Sequence, residues 1–392
     1  MKRLLWLCLG ACVLFTTGCG DNVNTGPSES ADAASTAPEF PYRTVDEAWA
    51  TDTSGDAALA AASGDAYSVA ESVRPEETEI TISFAGDCAL GKLQMYGHDG
   101  TVEAYYDSYG PEYFFQNVRD VFEEDDLTVV NLECVLTEET QRVIKTYNIK
   151  GKPEYTSILT AGSIEAVSLG NNHSRDYGEK SLTDTEEALD EAGVAYAIED
   201  VTAMCTTDDG VKIGLVSADL LYSDQERYVY EGIESLREDG ADLVFALCHW
   251  GIEYQYYPTQ AQQDWAHAFI DAGADAVIGC HPHVIESMEV YNGKVICYSL
   301  GNFSFGANRN PRDKASMIYQ QTFTFVDGEL RDEGIDARVI PCRLSGSTSY
   351  NDYSPVILEG DEGQQVLDRL NEYSSPYSGL HLDEDGTLSI ED

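Results

Sequence analysis

The chain has 392 residues, of which 43% are hydrophobic, and its formal net charge is −47 at pH 7. This length and apolar content are enough for at least one large folded domain with its own core. A field this negative repels nucleic acid and anionic membrane surfaces, so neither is expected as a partner. Any anionic substrate would have to be met by a metal ion or by locally placed cations.

The N-terminus predicts export. Two basic residues precede an apolar run, 4–15, which has the length of a signal peptide and is too short for a comfortable membrane span. Small residues then lead to Cys19, and this pattern resembles a bacterial lipobox, although Thr16 stands where leucine is usual. We expect residues 1–18 to be a lipoprotein signal peptide and Cys19 to carry lipid, which would anchor the protein at the extracellular face of the cell membrane. An ordinary signal peptide with an unmodified Cys19 is the alternative.

Composition divides the rest of the chain into three parts. Residues 19–78 are rich in small and acidic residues and cannot bury enough apolar surface to fold well, which predicts a disordered acidic linker. Residues 79–345 have the apolar patterning expected of a folded domain. Residues 346–392 predict a C-terminal helix and an acidic tail that either pack on the domain or trail from it.

Strands alternate with helices from residue 79 onward. Apolar runs predict strands at 79–85, 127–130, 166–169, 212–217, 242–248, 276–278 and 295–299. Helical spacing predicts helices at 111–124, 154–162, 179–192, 224–238, 259–272 and 361–373. The alternation indicates an α/β fold whose sheet is covered by helices on both faces.

Polar residues stand just beyond the carboxyl ends of six predicted strands. In open α/β sheets, ligands bind in the crevice beyond these ends, so we expect these side chains to meet at one edge. Imidazole nitrogen combined with carboxylate and amide oxygen suits Zn, Mn or Fe(II), and two such ions can clamp a phosphate and activate water. In chain order the residues are Asp87; Asn131 and Glu133; Asn172, His173 and Asp176; His249 and Glu253; His281 and His283; and Asn302.

Each of these residues has a structural alternative when it is taken singly. Asp87 could cap a helix, Glu133 could be a turn residue, and a lone histidine could be satisfied by hydrogen bonds in the core. Their shared position after strands favours the metal site. Nearby thiols could be soft ligands instead, but we favour buried packing for Cys248 and Cys280. Successive strand side chains face opposite ways, so both thiols should point away from the adjacent histidines.

Six short motifs occur in a fixed order over about residues 79–345. They are FAGD (84–87), NLE (131–133), NNH (171–173), HWG (249–251), GCHPH (279–283) and YSLGNF (298–303). Together they resemble the CapA, or poly-γ-glutamate capsule biosynthesis, family. That family in turn looks like a branch of the calcineurin-like metallophosphoesterases. The resemblance implies a four-layer α/β/β/α sandwich with a divalent-metal site holding one or two ions of Mn, Fe or Zn.

The resemblance also implies roles for individual residues. Glu133 would bridge two metal ions, with Asn131 as the second choice for that bridge. His173 would protonate the leaving group or steady the transition state. Four residues are expected to lie around the metal without binding it directly. They are Asn131, unless it forms the bridge, and Asp176, Glu253 and Asn302. The implied ligands are Asp87, Glu133, Asn172, His249, His281 and His283.

One position departs from the superfamily pattern, because Ala89 stands where the first motif usually has a histidine ligand. Three functions therefore stay open. The first is biosynthesis or export of poly-γ-glutamate beside polymer-synthesis membrane proteins. The second is a metal-dependent hydrolase of phosphoester or amide bonds, and the third is a non-catalytic accessory protein with a degenerate site. A polyanion would need a cationic groove, for which the nearby candidates are Lys145, Lys150, Lys152 and Arg175; a solvated turn is the alternative for 145–152.

Overall fold

Two large β-sheets carry most of the strands in the computed structural model, which describes residues 42–45, 77–222, 224–331, 334–377 and 379–390. The predicted signal peptide, Cys19 and the predicted linker, apart from 42–45 and 77–78, lie outside these ranges. None of the described helices combines the length and the apolar character that crossing a membrane would require.

The described elements begin and end as follows. The strands are Tyr42–Val45 (β1), Glu77–Ala89 (β2), Lys92–Leu93 (β3), Leu127–Leu132 (β4), Val135–Leu136 (β5), Ile149–Gly151 (β6), Ala166–Ser168 (β7), Ala195–Ala197 (β8), Thr202–Thr206 (β9), Lys212–Asp219 (β10), Leu243–His249 (β11), Ala276–Cys280 (β12), Met288–Tyr291 (β13), Lys294–Cys297 (β14), Asn302–Phe305 (β15), Ala315–Val326 (β16), Glu329–Leu330 (β17), Asp336–Arg343 (β18), Val356–Ile357 (β19), Leu380–Leu382 (β20) and Leu388–Ile390 (β21). The helices are Val102–Tyr109 (α1), Arg119–Glu123 (α2), Thr156–Ala161 (α3), Glu179–Ala192 (α4), Glu226–Glu238 (α5), Gln260–Asp271 (α6) and Gly360–Ser374 (α7), with short 3₁₀ turns at Pro111–Tyr113 and Pro153–Tyr155.

The order of strands places the carboxyl ends of the parallel strands together. One sheet has nine strands in the order β19-β18-β16-β2-β4-β7-β8, with β15 paired to β2 and β17 to β16. Its strands β2, β4, β7 and β8 are parallel. The other sheet has seven strands in the order β1-β9-β10-β11-β12-β14-β13, and β10, β11, β12 and β14 are parallel.

Three apolar clusters show how the layers pack. The largest combines the facing sides of both sheets, and there the rings of Phe84 (β2) and Phe245 (β11) lie 5.0 Å apart. A second joins the other face of the nine-stranded sheet to helices such as α4, through Val130 and Leu189. The third joins the other face of the seven-stranded sheet to α5 and α6, including Phe269. Helices therefore cover the outer face of each sheet, and the predicted α/β fold is confirmed.

Local sequence explains several boundaries. Helix α6 begins at a capping box, in which the Thr259 side chain accepts from the backbone of Gln262 and the Gln262 side chain accepts in return. Helix α4 ends at Gly193, whose left-handed backbone favours glycine. The predicted continuous helix at 111–124 is wrong. The chain there forms a 3₁₀ turn and the short α2, and between them Asn117 donates hydrogen bonds to Ser354 and Pro355.

The C-terminal segment packs against the sheets. Helix α7 contributes Val366, Leu367 and Leu370 to the cluster between the two sheets, and Leu380 and Leu388 of the last hairpin join it. Burying each of these large apolar side chains contributes about 1.5–3 kcal/mol. The helix predicted at 361–373 is thus part of the folded unit.

Candidate metal centre

The predicted site residues converge where the carboxyl ends of the parallel strands meet. Asp87 lies near the end of β2, directly opposite Asn131 of β4 and Asn302 of β15 in the strand register. His249 ends β11, and His281 and His283 follow β12. The strand order and register explain why residues distant in sequence become neighbours.

Asp87 connects the two sheets. It is fully buried, and its Oδ1 accepts a hydrogen bond of 2.8 Å from Asn131 Nδ2. Its Oδ2 lies 3.2 Å from His283 Nδ1, and the backbone N–H of His281 donates to the same oxygen at 3.4 Å. Both carboxylate oxygens of Asp87 are therefore held in place.

Glu133 is the most unusual group in the site. Its side chain is fully buried, and neither carboxylate oxygen has a hydrogen-bond partner among the residues that the structure describes. Oε1 lies 3.8 Å from Nε2 of both His173 and His249, and Oε2 lies 3.9 Å from His283 Nδ1. Burial, and secondly the charge of Asp87, raise the pKa of Glu133 well above its usual range. A buried carboxylate without partners is costly, and a bound cation would remove that cost.

The three histidines of the seven-stranded sheet differ in protonation. Burial and neighbouring imidazoles lower the pKa of His249 well below its usual range and that of His281 to about 4. Burial also lowers the pKa of His283, but Glu133 and Asp87 outweigh this effect and raise it to about 9. His249 and His281 are thus neutral, with His249 Nε2 only 3.2 Å from His281 Nδ1. Neutral imidazoles are the form that ligates metals.

His173 is oriented by a carboxylate. Its Nδ1 lies 2.8 Å from Asp176 Oδ2, while Lys145 Nζ lies farther away, at 3.3 Å. This geometry favours a proton on Nδ1 and leaves Nε2 facing Glu133. Burial lowers the pKa of His173, and the hydrogen bond to Asp176 opposes that shift without cancelling it. At neutral pH the imidazole is therefore uncharged, which suits a hydrogen-bonding or proton-accepting role better than a resting acid.

Backbone strain concentrates in the HPH motif. His281 has φ of 100° and His283 has φ of 59°, and both values are uncommon for residues with a side chain. Such conformations cost on the order of 1–3 kcal/mol each and persist where the surroundings enforce them. Asn302 holds the second histidine, because its Nδ2 donates to the His283 carbonyl at 3.0 Å and its Oδ1 lies 3.1 Å from His283 Nδ1.

Two glycines let the backbones meet at the site. A Cβ at Gly86 would lie 1.9 Å from the carbonyl oxygen of Gly301, and one at Gly279 would lie 2.0 Å from that of Tyr298. The close approach allows the Asp87 N–H to donate to Gly301 O at 2.9 Å. Glycine is therefore required in the FAGD and GCHPH motifs for steric reasons.

Several predicted residues lie differently from the others. Asn172 is half-buried, and within the described ranges its Oδ1 has no hydrogen-bond partner, so this oxygen could act as a ligand. Glu253 is exposed and no hydrogen bond joins it to a ligand in the described part of the chain; its charge only helps raise the pKa of His283. Ala89 is fully buried in β2. Cys19 lies outside the described residues.

The cysteines are buried thiols, as predicted, in the described part of the chain. Cys248 packs in the helix-covered cluster of the seven-stranded sheet. Cys280 is buried as well, and burial, with a smaller contribution from the nearby Asp87 carboxylate, raises the pKa of its thiol well above the usual range.

Sequence reasoning missed the roles of two residues that support the site, since it noted Asn171 only as part of the NNH motif and Lys145 only as a candidate for a cationic groove. Asn171 is buried, and its side chain donates to Asn131 Oδ1 at 3.1 Å and to Leu132 O at 2.9 Å, while its Oδ1 accepts from the His173 backbone. Lys145 pairs with Asp176 and donates to Asn172 O at 2.7 Å. The doubled asparagine of the NNH motif was the available sign for Asn171. Nothing local indicated that Lys145 reaches His173.

The donor set fits a divalent metal. Ligand atoms of Glu133, His281 and His283 all lie within 4.8 Å of one another, so a single ion can reach all three. His249 and Asp87 adjoin the same space. Nitrogen and oxygen donors without thiolate favour Zn, Mn or Fe(II) over Cu(I).

Comparison with known proteins agrees with these features. Residues 81–307 match the family model described as "Bacterial capsule synthesis protein PGA_cap". The PGA biosynthesis protein CapA of Bacillus subtilis is 30% identical over 265 residues, which cover 61% of this chain and 67% of that protein. The capsule biosynthesis protein CapA of Bacillus anthracis is 29% identical over 286 residues, 66% of each chain.

A more distant relative is a probable polyglutamine synthesis accessory protein of Mycobacterium tuberculosis, 26% identical over 256 residues that cover 56% of this chain and 66% of the relative. The chain thus spans about two thirds of the length of the curated relatives it matches. The family match includes all six motifs and more than half of the chain. This protein belongs to the bacterial capsule synthesis protein family PGA_cap.

Proposed function

We propose that this protein acts in the biosynthesis or export of poly-γ-glutamate or a similar capsule polymer, at the extracellular face of the cell membrane, with a metal-binding phosphoesterase-like site. Family membership and the names of the relatives support the proposal that the polymer is poly-γ-glutamate or a similar one. The lipobox-like N-terminus supports anchoring through a lipid on Cys19. Polymer-synthesis membrane proteins are the partners that this location would provide.

The observation that carries the metal site is Glu133, a buried carboxylate with two unpartnered oxygens among imidazoles. Asp87, Glu133, His249, His281 and His283 would hold the ion, with the free Oδ1 of Asn172 as a further donor. A bound divalent ion would supply Lewis-acid chemistry and lower the pKa of a coordinated water.

The chain's own residues would position these groups and handle protons. Asn131 fixes the Asp87 carboxylate, and Asn302 fixes His283 from both sides. Asp176 orients His173, whose Nε2 faces Glu133 and is free to accept or return a proton at a reacting group. These contacts keep the reactive atoms in one geometry.

Complementation in the host tests the role in polymer assembly. Deleting the gene should reduce surface polymer, and the parent gene should restore it. A Cys19→Ala variant should release the protein from the membrane fraction, and His281→Ala/His283→Ala should fail to restore polymer although the protein accumulates normally. Unchanged surface polymer after deletion would refute the assembly role.

A metal-dependent hydrolase is the second candidate, favoured by the position of His173 beside Glu133. The full-length protein loaded with Mn or Zn should then cleave members of a panel of phosphoesters and γ-linked amides, and His173→Ala should lose that activity. If the loaded protein cleaves none of them, the accessory alternative is favoured, in agreement with Ala89 at the usual histidine position.

A further inference from the structure

We propose that a strip of cations beside the metal centre binds a chain of carboxylates. The strip consists of Lys92, Arg142, Lys145, Lys150 and Lys152, and we call it the cationic strip. The inference deepens the proposed function, on which its choice of polymer rests. Its physical basis is the local charge of the described residues.

The cationic strip interrupts an otherwise acidic chain. The chain carries 70 acidic and 23 basic residues, yet the segment 140–153 contains four cations and no carboxylate. Acidic residues resume immediately on both sides, at Glu139 and Glu154. A field of this sign attracts an anionic ligand to a place where the rest of the surface repels it.

One end of the cationic strip touches the metal centre. Lys145 Nζ donates to Asn172 O at 2.7 Å and lies 3.3 Å from His173 Nδ1. Farther along, the side chain of Asn148 donates to Asp176 O at 3.0 Å, so the segment runs beside the loop that carries His173. A ligand bound along the segment would therefore reach the metal-binding residues.

The other end lines a cavity of about 240 Å³. Lys92, Lys150 and Lys152 lie on its wall together with Glu103 and Glu138, so its lining carries one net positive charge. That charge matches a single carboxylate. Lysine ammonium groups bind carboxylates through charge-assisted hydrogen bonds.

Two of the lysines of this cavity come from neighbouring strands. Lys92 and Lys150 stand directly opposite each other on the paired strands β3 and β6. Like charges in such positions destabilise a sheet. The strands are also locked close, because a Cβ at Gly151 would lie 2.1 Å from the carbonyl oxygen of Leu90. Both side chains therefore leave the backbone at one place on the cavity wall, and their Nζ atoms have different partners, Glu103 and the Glu139 carbonyl.

The protein neutralises this charge incompletely. Glu103 is shared, since it pairs with Lys92 and also lies 3.7 Å from Lys152. Glu154 lies 3.6 Å from Lys152, and the buried Asp176 pairs with Lys145. Lys150 has no carboxylate partner among the described residues; its Nζ donates to the neutral Glu139 carbonyl at 2.8 Å and lies 5.0 Å from the Tyr177 ring centroid. Arg142 is exposed and forms no ion pair in the described part of the chain. Lys150 and Arg142 are therefore free to contact ligand carboxylates.

Binding of a labelled polymer tests the inference. A short fluorescein-labelled oligomer of γ-linked glutamate is titrated with the full-length protein in EDTA, and anisotropy is recorded at several salt concentrations. Lys150→Gln/Lys152→Gln should bind about tenfold more weakly or worse, with a shallower salt dependence, because two charged contacts are lost. The matched control is Lys180→Gln/Lys212→Gln, which removes two cations elsewhere and should bind like the parent.

Each outcome decides a separate point. Equal binding by the parent and Lys150→Gln/Lys152→Gln, or no binding by either, would overturn the inference. Tighter binding of inorganic polyphosphate at the same lysines would overturn the choice of carboxylates. Because the titration is done in EDTA, oligomer binding does not depend on a bound metal. It can therefore hold even if the proposed role in polymer assembly fails.

Discussion

The two large sheets supply chemically different halves of the candidate metal centre. The nine-stranded sheet provides oxygen donors, Asp87 and Glu133, with Asn131 between them on neighbouring parallel strands. The seven-stranded sheet provides the imidazoles of His249, His281 and His283. Neither half alone has the mixed nitrogen and oxygen set that suits Zn, Mn or Fe(II).

The halves also differ in how the backbone holds them. Asp87 and Asn131 sit in regular strand register, so hydrogen bonding of the sheet fixes their spacing. His281 and His283 lie beyond a strand end with positive φ, where contacts from Asn302 and Asp87 hold them. Sheet register positions the oxygen half, and a strained loop positions the imidazole half, so the two should respond differently to substitution.

Removing the imidazole half should have the largest effect. His281→Ala/His283→Ala deletes two of the three residues whose ligand atoms cluster together, and we expect metal affinity to fall by well over the roughly 10–100-fold typical of supporting residues. Elemental analysis and calorimetric titration measure the change. His98→Ala, at an exposed histidine outside the site, is the control and should keep full occupancy. Retained metal in the double variant would show that the oxygen half together with His249 suffices.

A substitution in the oxygen half should raise the free energy of unfolding of the metal-free protein and lower its metal affinity. Glu133→Gln should stabilise the metal-free protein by roughly 1–3 kcal/mol, because it removes a buried charge without partners, and should weaken metal binding. Thermal unfolding in EDTA reports the first effect. The raised pKa of Glu133 means that its contribution to stability is present below pH 4.5 and is lost as pH rises through the folded-state value. The parent should therefore lose stability with rising pH more steeply than the variant, and parallel pH curves would contradict this account.

When the site takes up a metal ion, His283 should be the histidine of the imidazole half that releases a proton. His283, with a pKa of about 9, is protonated at pH 7.5, whereas His281, with a pKa of about 4, is not. Metal affinity should therefore rise with pH and level off above about pH 9. Calorimetry in buffers of different ionisation enthalpy should find about one proton released from His283 per ion bound there. His283→Ala should lack this release, and an unchanged count would place the proton elsewhere.

The smallest effects should come from residues outside the donor set. Asn302→Ala removes the two contacts that Asn302 makes with His283, while the contact with Asp87 remains, and should lower metal affinity by about tenfold. Glu253→Gln should change affinity by no more than about twofold, because the exposed side chain forms no hydrogen bond to a ligand. Equal losses in both variants would mean that long-range charge, rather than contact, positions His283.

The sequence by itself indicated seven of the strands, β2, β4, β7, β10, β11, β12 and β14, and the polar residues that follow six of them. Short, mostly apolar runs marked β2, β4, β10 and β11, because a strand that is buried on both faces is apolar along most of its length. The six motifs were readable because each lies within a few consecutive residues. The prediction of a continuous helix at 111–124 was wrong because Asn117 donates a hydrogen bond to Ser354, and the sequence pattern does not reveal that partner.

Only the tertiary structure decided which of these residues meet and in what state. The oxygens of Glu133, which have no hydrogen-bond partner among the described residues, and the opposite pKa shifts of His281 and His283 depend on packing between the two sheets. The placement of Lys145 beside His173 depends on it too. Local sequence sets hydrophobic period and turn chemistry, whereas burial and charge proximity arise from contacts between segments far apart in the chain.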